Sequence, residues 1–259
     1  MKKNFISILI TSYNKGNFLE KTIKSCLSQK FKNKEIIVFE DGSTDDSKKI
    51  LGRFKKKIII INNKKKKFDS SPLNQINGII ELFKRSKGEI IFLLDADDQF
   101  KKGKLSYIFK IFQNKSNLNF IQDKPYLSDK KKYMLLKKKK HYFSIWPSFY
   151  PTSCMTVRRK FFQNFLKHLY KNEFSNLEID ARLSMFAHLK NEFCSIEKNL
   201  TIYNYDEFGI TSNYKKFNIN WWKKRNEAFN YLIKLKKRLN KSFSFGPDFY
   251  LTRIINFFI

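Results

Sequence analysis

The first hundred residues alternate between short runs of apolar side chains and longer segments in which apolar side chains recur every three or four positions. The continuous runs predict buried strands, and the helical spacing of residues such as Phe18, Ile23 and Leu27 predicts amphipathic helices. Because strand and helix alternate with short connections, the pattern favours a parallel, doubly wound α/β sheet. The predicted strands are 5–11, 34–41, 56–62 and 89–94, and the predicted helices are 18–27, 45–54 and 70–88.

The second and third of these helices carry residues that commonly begin and end helices. Ser43 or Thr44 is expected to cap the start of helix 45–54. Ser71 is expected to cap the third helix, with Pro72 at its first position and Gly88 at its C-terminal end.

After about residue 100 the pattern becomes less regular. Irregular chain is expected from residue 146, and the segment 218–239 reads as a long, basic, amphipathic helix. The remaining predicted elements are helices at 102–114, from about residue 158 and at 176–189, and a strand at 118–123.

The composition fits a folded protein in a reducing compartment. A chain of 259 residues suits one α/β domain with an appendage or two small domains. Its 28 Phe and 12 Tyr exclude a disordered chain. Cys26, Cys154 and Cys194 lie far apart with no CxxC pair, so neither a disulfide framework nor a zinc site is indicated. A cytoplasmic location fits best.

The net charge and the apolar segments of the chain are compatible with contact with a membrane surface. No apolar run approaches the roughly 20 residues of a transmembrane helix, and the run at 5–10 is too short for a signal peptide. The segment 249–259 is apolar but short, and could lie on a membrane or dock onto its own domain. The net charge of +30 is explained either by a composition rich in Lys, Asn, Ile and Phe or by attraction to anionic partners.

Three aspartates directly follow the apolar run 90–94: Asp95, Asp97 and Asp98. In doubly wound sheets, ligands bind outside the carboxyl ends of the strands. Residues 11–14, 40–42 and 95–98 all follow predicted strands, so they are expected to border one crevice. Carboxylate oxygens there could hold Mg²⁺ or Mn²⁺, which in turn would hold a diphosphate. Taken alone, these acids would more often be an acidic cluster favoured at a helix N-terminus.

The order of these motifs resembles one enzyme family. The stretch from "SILITSYN" through "FEDGSTDDS" to "GEIIFLLDADD" is similar to the family 2 glycosyltransferases, over residues 5 to about 105. The resemblance implies the GT-A fold, a Rossmann-like, doubly wound and mostly parallel sheet, here with a helical C-terminal extension. We accordingly expect a nucleotide-sugar-binding half at 1–105, an acceptor-binding half of the same domain at 106–215, and a basic helix with a C-terminal tail at 216–259.

The resemblance also implies which residues bind the donor and the metal. Tyr13 would pack on the nucleobase and Asp41 would bind it. Asp95 would face the ribose and Asp97 would bind Mg²⁺ or Mn²⁺, with Asp98 in support of either. The expected donor-binding set is Thr11, Tyr13, Asn14, Glu40, Asp41, Asp95 and Ala96.

One arginine of the family has no counterpart here. Some members carry it in the helix around 74–78, where this chain has Asn74, Gln75 and Asn77. The lysines at 64–67 could take its place at the diphosphate, or form a solvated charge run.

The second half of the chain would supply the catalytic base and the acceptor contacts. Inverting transfer needs a base that removes a proton from the acceptor hydroxyl. In the family this base is a carboxylate at the start of a helix, and "NLEIDARLSMF" matches it with Asp180 first and Glu178 second. The alternative is an acid favoured only by the helix N-terminus. Arg182 would position phosphate or pack.

Aromatic residues before the next helix are candidate acceptor contacts. Trp146 and Tyr150, with Phe149 between them, could stack on a sugar, or could belong to the core. The segment 210–217 could be a loop that closes on the donor.

The expected activity is metal-dependent, inverting transfer of a sugar from a nucleoside-diphosphate sugar, with a uridine diphosphate as the default. The acceptor would be a hydroxyl of a glycan, a lipid-linked glycan or a cell-surface polysaccharide. The protein would be cytoplasmic, with a peripheral contact to the anionic inner face of the cell membrane and no nucleic-acid partner. The alternatives are a nucleotidyltransferase on a related fold and a non-enzymatic basic protein that binds membrane or nucleic acid.

Overall fold

The computed structural model describes residues 1–65, 67–136, 146–206, 209, 214–242 and 244–259. The strands are β1 Lys2–Ser12, β2 Lys34–Glu40, β3 Ile59–Asn62, β4 Gly88–Asp95, β5 Gln99–Phe100, β6 Phe120–Leu127, β7 Lys132–Tyr133, β8 Met155–Arg158 and β9 Phe193–Tyr203. The helices are α1 Gly16–Leu27, α2 Ser47–Phe54, α3 Ser71–Arg85, α4 Lys104–Asn114, α5 Arg159–Lys167, α6 Ile179–Leu189, α7 Ile219–Arg238 and α8 Pro247–Phe257. A short 3-10 turn, Thr152–Cys154, precedes β8.

One mixed sheet organises the described chain, in the order β3-β2-β1-β4-β8-β6-β9-β5, with β7 paired to β6. The first four strands are parallel. β8 is antiparallel to both β4 and β6, and β9 is parallel to β6. The longest ladders are therefore parallel, which confirms the predicted doubly wound, mostly parallel α/β fold.

The sheet is covered on both faces, as its apolar strands require. Alternate residues of a strand point to opposite faces. In β1, the residues Ile6, Ile8 and Ile10 pack with α1, α2 and α4, whereas Leu9 packs with α3, α5, α6 and α7 on the other face. Every described helix is too short or too polar to cross a membrane.

Four of the described strands were not predicted: the two-residue strands β5 and β7, and the longer strands β8 and β9. β8 lies inside the segment that the sequence indicated as irregular, and β9 follows α6 without an apolar run. β9 is mostly half-exposed, and its few buried positions include Leu200 and Thr201. The formation of such a strand depends on its packing against neighbouring strands, and the local pattern of apolar residues does not predict that packing.

The residues predicted to cap the starts of α2 and α3 do not cap them in the structure. α2 begins at Ser47 after Asp46, which makes no capping hydrogen bond with its side chain. Ser43 and Thr44 instead bond to a neighbouring loop through Asn14. The cap of α3 is Ser70 rather than Ser71, and its hydroxyl accepts a hydrogen bond at 3.2 Å from the N–H of Leu73.

Gly88 does not cap α3, contrary to the prediction, but begins β4. The helix ends before Ser86, and the N–H of Gly88 donates to the hydroxyl of Ser7 at 2.7 Å. A Cβ atom on Gly88 would lie 2.6 Å from that hydroxyl oxygen and 2.8 Å from the carbonyl carbon of Ile6. Glycine is therefore needed here for the close approach of β4 to β1, not for a helix end.

This packing predicts opposite effects for two glycine substitutions. Gly88→Ala should lower the free energy of unfolding by about 1–3 kcal/mol, because the added methyl has no space. Gly52→Ala is the matched control, since nothing lies within 4 Å of a Cβ there. Because Gly52 lies in α2, alanine should leave stability unchanged or raise it by about 0.5–1 kcal/mol. Urea unfolding monitored by circular dichroism measures both, and equal effects would contradict the proposed close approach.

Candidate active site

The register of the parallel strands brings the three predicted segments to one edge of the sheet. Thr11 of β1 lies opposite Asp95 of β4, and Ser12 lies opposite Glu40 of β2. The ladder continues one residue further, because the N–H of Ala96 donates to the carbonyl of Thr11 at 3.2 Å. The three segments therefore meet at one edge of the sheet, and we use the name crevice for the space outside the carboxyl ends of β1, β2 and β4.

Glu40 shapes the turn after β2 rather than facing the crevice. Its buried carboxylate accepts hydrogen bonds from the backbone N–H groups of Gly42, at 3.1 Å, and of Ser43. Gly42 has a φ of +74°, a conformation that glycine adopts without strain. Because both oxygens of Glu40 bond to this turn, the structure gives Glu40 a supporting place beside Asp41.

Asp41 is the carboxylate of this turn that has polar side chains around it. Asn63 donates to its Oδ1 at 2.6 Å, and the Nζ of Lys67 lies 3.7 Å from its Oδ2. Burial raises the pKa of Asp41 above its usual value, although Asn63 and Lys67 act in the opposite direction. Asp41 is thus a strong hydrogen-bond acceptor held in a fixed place.

Tyr13 lies beside this carboxylate with its ring 48% exposed. The Nζ of Lys67 is 3.5 Å from the centroid of the ring, a cation–π distance. Lys67 therefore spans the gap between the Tyr13 ring and Asp41. Asn14 fixes the loop from the other side, since its N–H donates to Ser43 at 3.0 Å and its Oδ1 accepts from the N–H of Thr44 at 2.8 Å.

The aspartates after β4 have different partners. Asp95 accepts hydrogen bonds from Gln75 at 2.7 Å and from Thr11 at 3.4 Å. Asp98 is fully buried and accepts from the N–H of Asn204 at 2.9 Å. Asp97 instead accepts a hydrogen bond from the ammonium of Lys15, 2.6 Å away.

Lys15 also contacts Asp206, so one ammonium bridges two carboxylates that are distant in sequence. All three side chains are partly buried. Burial alone would lower the pKa of Lys15, but Asp97 and Asp206 outweigh it and raise the pKa. The sequence does not indicate Lys15 or Asp206 as a pair, because they meet only when β9 pairs with β5 and the chain after β9 reaches the turn that follows β4.

Crowding of the acids is visible in their pKa values. Burial, and then the charge of Asp97, raise the pKa of Asp95 to about 7. Burial and the charges of Asp97 and Asp95 raise the pKa of Asp98 well above its usual value. The edge of the sheet thus collects negative charge that favours a cation at Asp97.

The donor chemistry at Asp97 and Asp206 fits a hard divalent cation such as Mg²⁺ or Mn²⁺. Two carboxylate oxygens converge on one positive charge, which Lys15 supplies in this structure. The residues that the structure describes contain no group of three His, Cys, Asp or Glu side chains that could hold a metal on their own. Water and a diphosphate would complete the coordination, as is usual for Mg²⁺.

A second pair of acids lies at the start of α6. Glu178 directly precedes the helix and forms an ion pair with Lys224 of α7. The Oδ1 of Asp180 accepts a hydrogen bond from the N–H of Ala181 at 2.7 Å. Burial, followed by the charge of Glu178, raises the pKa of Asp180 to about 7, and the charge of Asp95 contributes to the same shift. Among the aspartates after β4, Asp95 thus contributes to the raised pKa of Asp180.

Arg182 packs, and the alternative that it positions phosphate is excluded by its burial. The side chain is fully buried, and its guanidinium donates only to backbone carbonyls. The accepting residues are Leu169, Tyr170, Glu173, Phe174 and Leu177. These bonds fix the chain that leads into α6 and so place Glu178 and Asp180.

Of the other predicted site residues, some pack against the interior and one lysine faces the crevice. Tyr150 is only 4% exposed and its N–H donates to Gln122, so its ring belongs to the interior and offers no face to a sugar. Trp146 is partly buried against the core. Of the lysine run, Lys65 pairs with Glu81 at 2.6 Å and Lys67 faces the crevice. Residue 66 and the loop residues 210–213 lie outside the described part of the chain.

Comparisons with known proteins find a family model and several relatives that match this chain. The family model described as glycosyl transferase family 2 matches residues 7–166. An uncharacterized glycosyltransferase of Nostoc sp. is 32% identical over 108 residues, which is 42% of this chain and 33% of that protein. The GalNAc(5)-diNAcBac-PP-undecaprenol beta-1,3-glucosyltransferase of Campylobacter jejuni is 33% identical over 107 residues, 40% of this chain and 33% of that protein. The chain thus spans about one third of these relatives.

Solved structures agree on the fold. TarS 1-349 of S. aureus in complex with UDP-GlcNAc superposes with a TM-score of 0.67 at 15% identity, covering 88% of this chain and 66% of that one. The mannosyltransferase PcManGT of Pyrobaculum calidifontis, in complex with GDP-Man and Mn²⁺, gives a TM-score of 0.60 at 11% identity, covering 94% and 66%. At such identities the likeness shows the fold.

The electrostatics of Asp180 predict a pH-dependent gain in stability for Asp180→Asn. Burial raises the folded pKa to about 7 from a usual 3.8, so the stability that this acid contributes is present below pH 3.8 and lost as the pH rises through 7. At pH 8 the folded protein must bury a carboxylate, which the amide avoids. The substitution should therefore stabilise the fold by about 1–3 kcal/mol more at pH 8 than at pH 5.

Thermal or urea unfolding at the two pH values measures this difference. Asp129→Asn, at an exposed position, is the control and should show no such dependence. An equal effect of Asp180→Asn at both pH values would show that the site does not disfavour the carboxylate.

Proposed function

The chain belongs to glycosyl transferase family 2, and from this premise we propose that it transfers a sugar, with inversion, from a nucleoside-diphosphate sugar to an acceptor hydroxyl. The observation that carries the proposal is the arrangement of two acid groups around one crevice. Asp41, Asp95 and Asp97 line the donor side. Asp180 lies in the first turn of α6, and the charge of Asp95 contributes to its raised pKa after burial and the charge of Glu178.

On the donor side, the base would stack on the ring of Tyr13 and donate an N–H to Asp41. Uracil fits, because it presents an imide N–H to a carboxylate. Lys67 covers the ring of Tyr13 in this structure, so binding of the base requires Lys67 to move aside. Its ammonium then becomes available to a phosphate of the donor. Asp95, oriented by Gln75 and Thr11, would accept a hydrogen bond from the ribose.

The metal site would consist of Asp97 and Asp206, with Mg²⁺ or Mn²⁺ neutralising the charge of the departing diphosphate. Lys15 holds this place and must release both carboxylates when the metal and the donor bind. Mn²⁺ in the mannosyltransferase neighbour and UDP-GlcNAc in TarS support a metal and a uridine donor here.

On the acceptor side, Asp180 would remove the proton of the hydroxyl as its oxygen attacks the anomeric carbon opposite the diphosphate. A pKa of about 7 suits a general base at neutral pH. Glu178 is less suited, because its carboxylate is already paired with Lys224. Trp146 is the aromatic side chain that we retain as an acceptor contact, and Tyr150 is withdrawn because it is buried.

The acceptor that we propose is a lipid-linked or cell-surface glycan at the cytoplasmic face of the membrane. Support comes from the names of two relatives: the GalNAc(5)-diNAcBac-PP-undecaprenol beta-1,3-glucosyltransferase of C. jejuni and the "Putative teichuronic acid biosynthesis glycosyltransferase TuaG" of Bacillus subtilis.

Metal-dependent nucleotide binding tests the donor side. Calorimetry with UDP and Mn²⁺ should show binding that a chelator removes. Asp97→Asn should weaken it by about ten-fold or more, since it removes a charged ligand of the metal. Asp46→Asn, at an exposed position beside α2, is the matched control and should bind normally. Lys15→Met should act in the opposite direction and tighten Mn²⁺ binding without nucleotide, because the metal no longer competes with an ammonium.

Wild-type protein that binds no nucleotide with Mn²⁺, or an Asp97→Asn protein that binds as wild type does, would overturn the donor site. GDP in place of UDP distinguishes the base.

Transfer assays test the base. Asp180→Asn should keep UDP binding and lower kcat by about 10²–10⁴-fold. In the wild type, kcat should rise with pH through about 7, because Asp180 must lose its proton to act. Glu178→Gln is the comparison, and it should reduce kcat less. A larger loss in Glu178→Gln than in Asp180→Asn would assign the base to Glu178 instead.

A further inference from the structure

The last helix docks onto α7 with its polar side. Arg253 donates to Asn226 at 2.7 Å and to Asn230 at 2.6 Å. Asn256 donates to the carbonyl of Trp222 at 3.0 Å. Asp248 at the start of α8 is buried and pairs with Arg225. Phe249 also faces α7, with its ring centroid 5.2 Å from that of Phe229. Most polar residues of α8 thus bond within the protein instead of facing solvent, as they do in a usual surface helix.

The opposite side of α8 is apolar and exposed. Residues 250, 251, 254, 257 and 258 follow the helical spacing of one face. Phe257 is 84% exposed and Phe258 is 78% exposed. The other members of this face, Tyr250, Leu251 and Ile254, are each about half exposed.

The start of α7 extends this apolar face. Asn226 and Asn230 contact Arg253 whereas Trp222 contacts Asn256, so the two helices run antiparallel. The first turn of α7 therefore lies next to the end of α8. We use the name C-terminal apolar face for the exposed residues Phe217, Ile219, Tyr250, Leu251, Ile254, Phe257 and Phe258.

Positive charge surrounds this face. Residues 214–259 contain eleven Lys and Arg against two acids. Both acids have partners inside the protein: Asp248 pairs with Arg225, and Glu227 accepts hydrogen bonds from Asn176. Lys215, Lys216 and Lys223 are exposed close to the aromatic first turn of α7. The face therefore presents apolar side chains and cations together.

We propose that the C-terminal apolar face binds the surface of an anionic phospholipid membrane. Apolar and aromatic side chains would enter the boundary between headgroups and acyl chains, while the lysines contact anionic headgroups. A second copy of the chain matches the face less well, because both partners would bring the same excess of positive charge. A membrane satisfies both features of the surface with one ligand.

Membrane contact at this face would help to bring a lipid-linked acceptor to the crevice, an inference that rests on the proposed function. Lys224, in the second turn of α7, forms an ion pair with Glu178 at the start of α6. Tyr214 donates to Asn176 in the chain just before Glu178. The membrane-binding end of α7 is therefore the end that contacts the acceptor side. A lipid-linked acceptor would have its lipid in the membrane and its sugar beside Asp180.

Vesicle flotation tests the membrane contact without any sugar nucleotide. The wild-type protein should float with vesicles of phosphatidylglycerol mixed with phosphatidylcholine, and less with phosphatidylcholine alone or at high salt. The combined substitution Leu251→Ser, Ile254→Ser and Phe257→Ser should lower partitioning by about ten-fold or more, since three exposed apolar side chains are removed. Leu135→Ser is the matched control, because Leu135 is 75% exposed elsewhere on the surface.

A second readout does not depend on any of these substitutions. Two of the three tryptophans, Trp221 and Trp222, lie in the first turn of α7. Brominated lipids should quench the fluorescence of the wild-type protein on anionic vesicles.

Three results would overturn the proposal. They are wild-type protein that does not float with anionic vesicles, a triple variant that floats as well as the wild type, and a wild-type dimer that the triple variant dissociates while vesicle binding is absent. UDP binding in the presence of Mn²⁺ keeps this outcome separate from the proposed function. Retained UDP binding without flotation rejects only the membrane contact, and flotation without UDP binding rejects only the donor site.

Discussion

The repulsion among carboxylates at the carboxyl edge of the sheet is the constraint on which the site depends. The register of β1, β2 and β4 brings Asp41, Asp95 and Asp97 to one edge, and the ammonium of Lys15 joins Asp97 to Asp206. Burial, and then the charge of Asp97, raise the pKa values of Asp95 and Asp98. Lys15 at Asp97 and Lys67 beside Asp41 are the cations that offset the negative charge of this edge. Lysines therefore lie at the positions proposed for metal and nucleobase.

This arrangement connects the fold to the proposed reaction. The proposed donor complex brings a base, a diphosphate and a metal. The metal would displace Lys15, the base would displace Lys67, and a phosphate of the donor would then contact Lys67. In the proposed reaction, the metal would bring positive charge to Asp97 as Lys15 leaves it. A preference for the complete donor would follow, since a nucleotide without metal or a metal without diphosphate replaces only part of what the lysines supply.

The sequence predicted the parallel half of the sheet well, because its strands are buried on both faces and therefore appear as continuous apolar runs. It also placed Asp95, Asp97 and Asp180 on the right elements, since each follows a strand or opens a helix. It did not predict β9, whose residues are mostly half-exposed. The caps that it predicted at Ser43 and Gly88 were wrong, because both residues make contacts between strands and loops instead of capping a helix. Lys15 and Asp206 are 191 residues apart, and no local pattern records their contact.

Arg182 has a consequence for the cost of binding an acceptor. The chain at 169–177 has little regular structure of its own, yet five of its carbonyls are bound to one guanidinium. Its conformational entropy is consequently lost when the protein folds and not when the acceptor arrives. The approach to Asp180 is thus preorganised, and in the proposed reaction the binding energy of the acceptor would be left for orienting the hydroxyl rather than for ordering the protein around it.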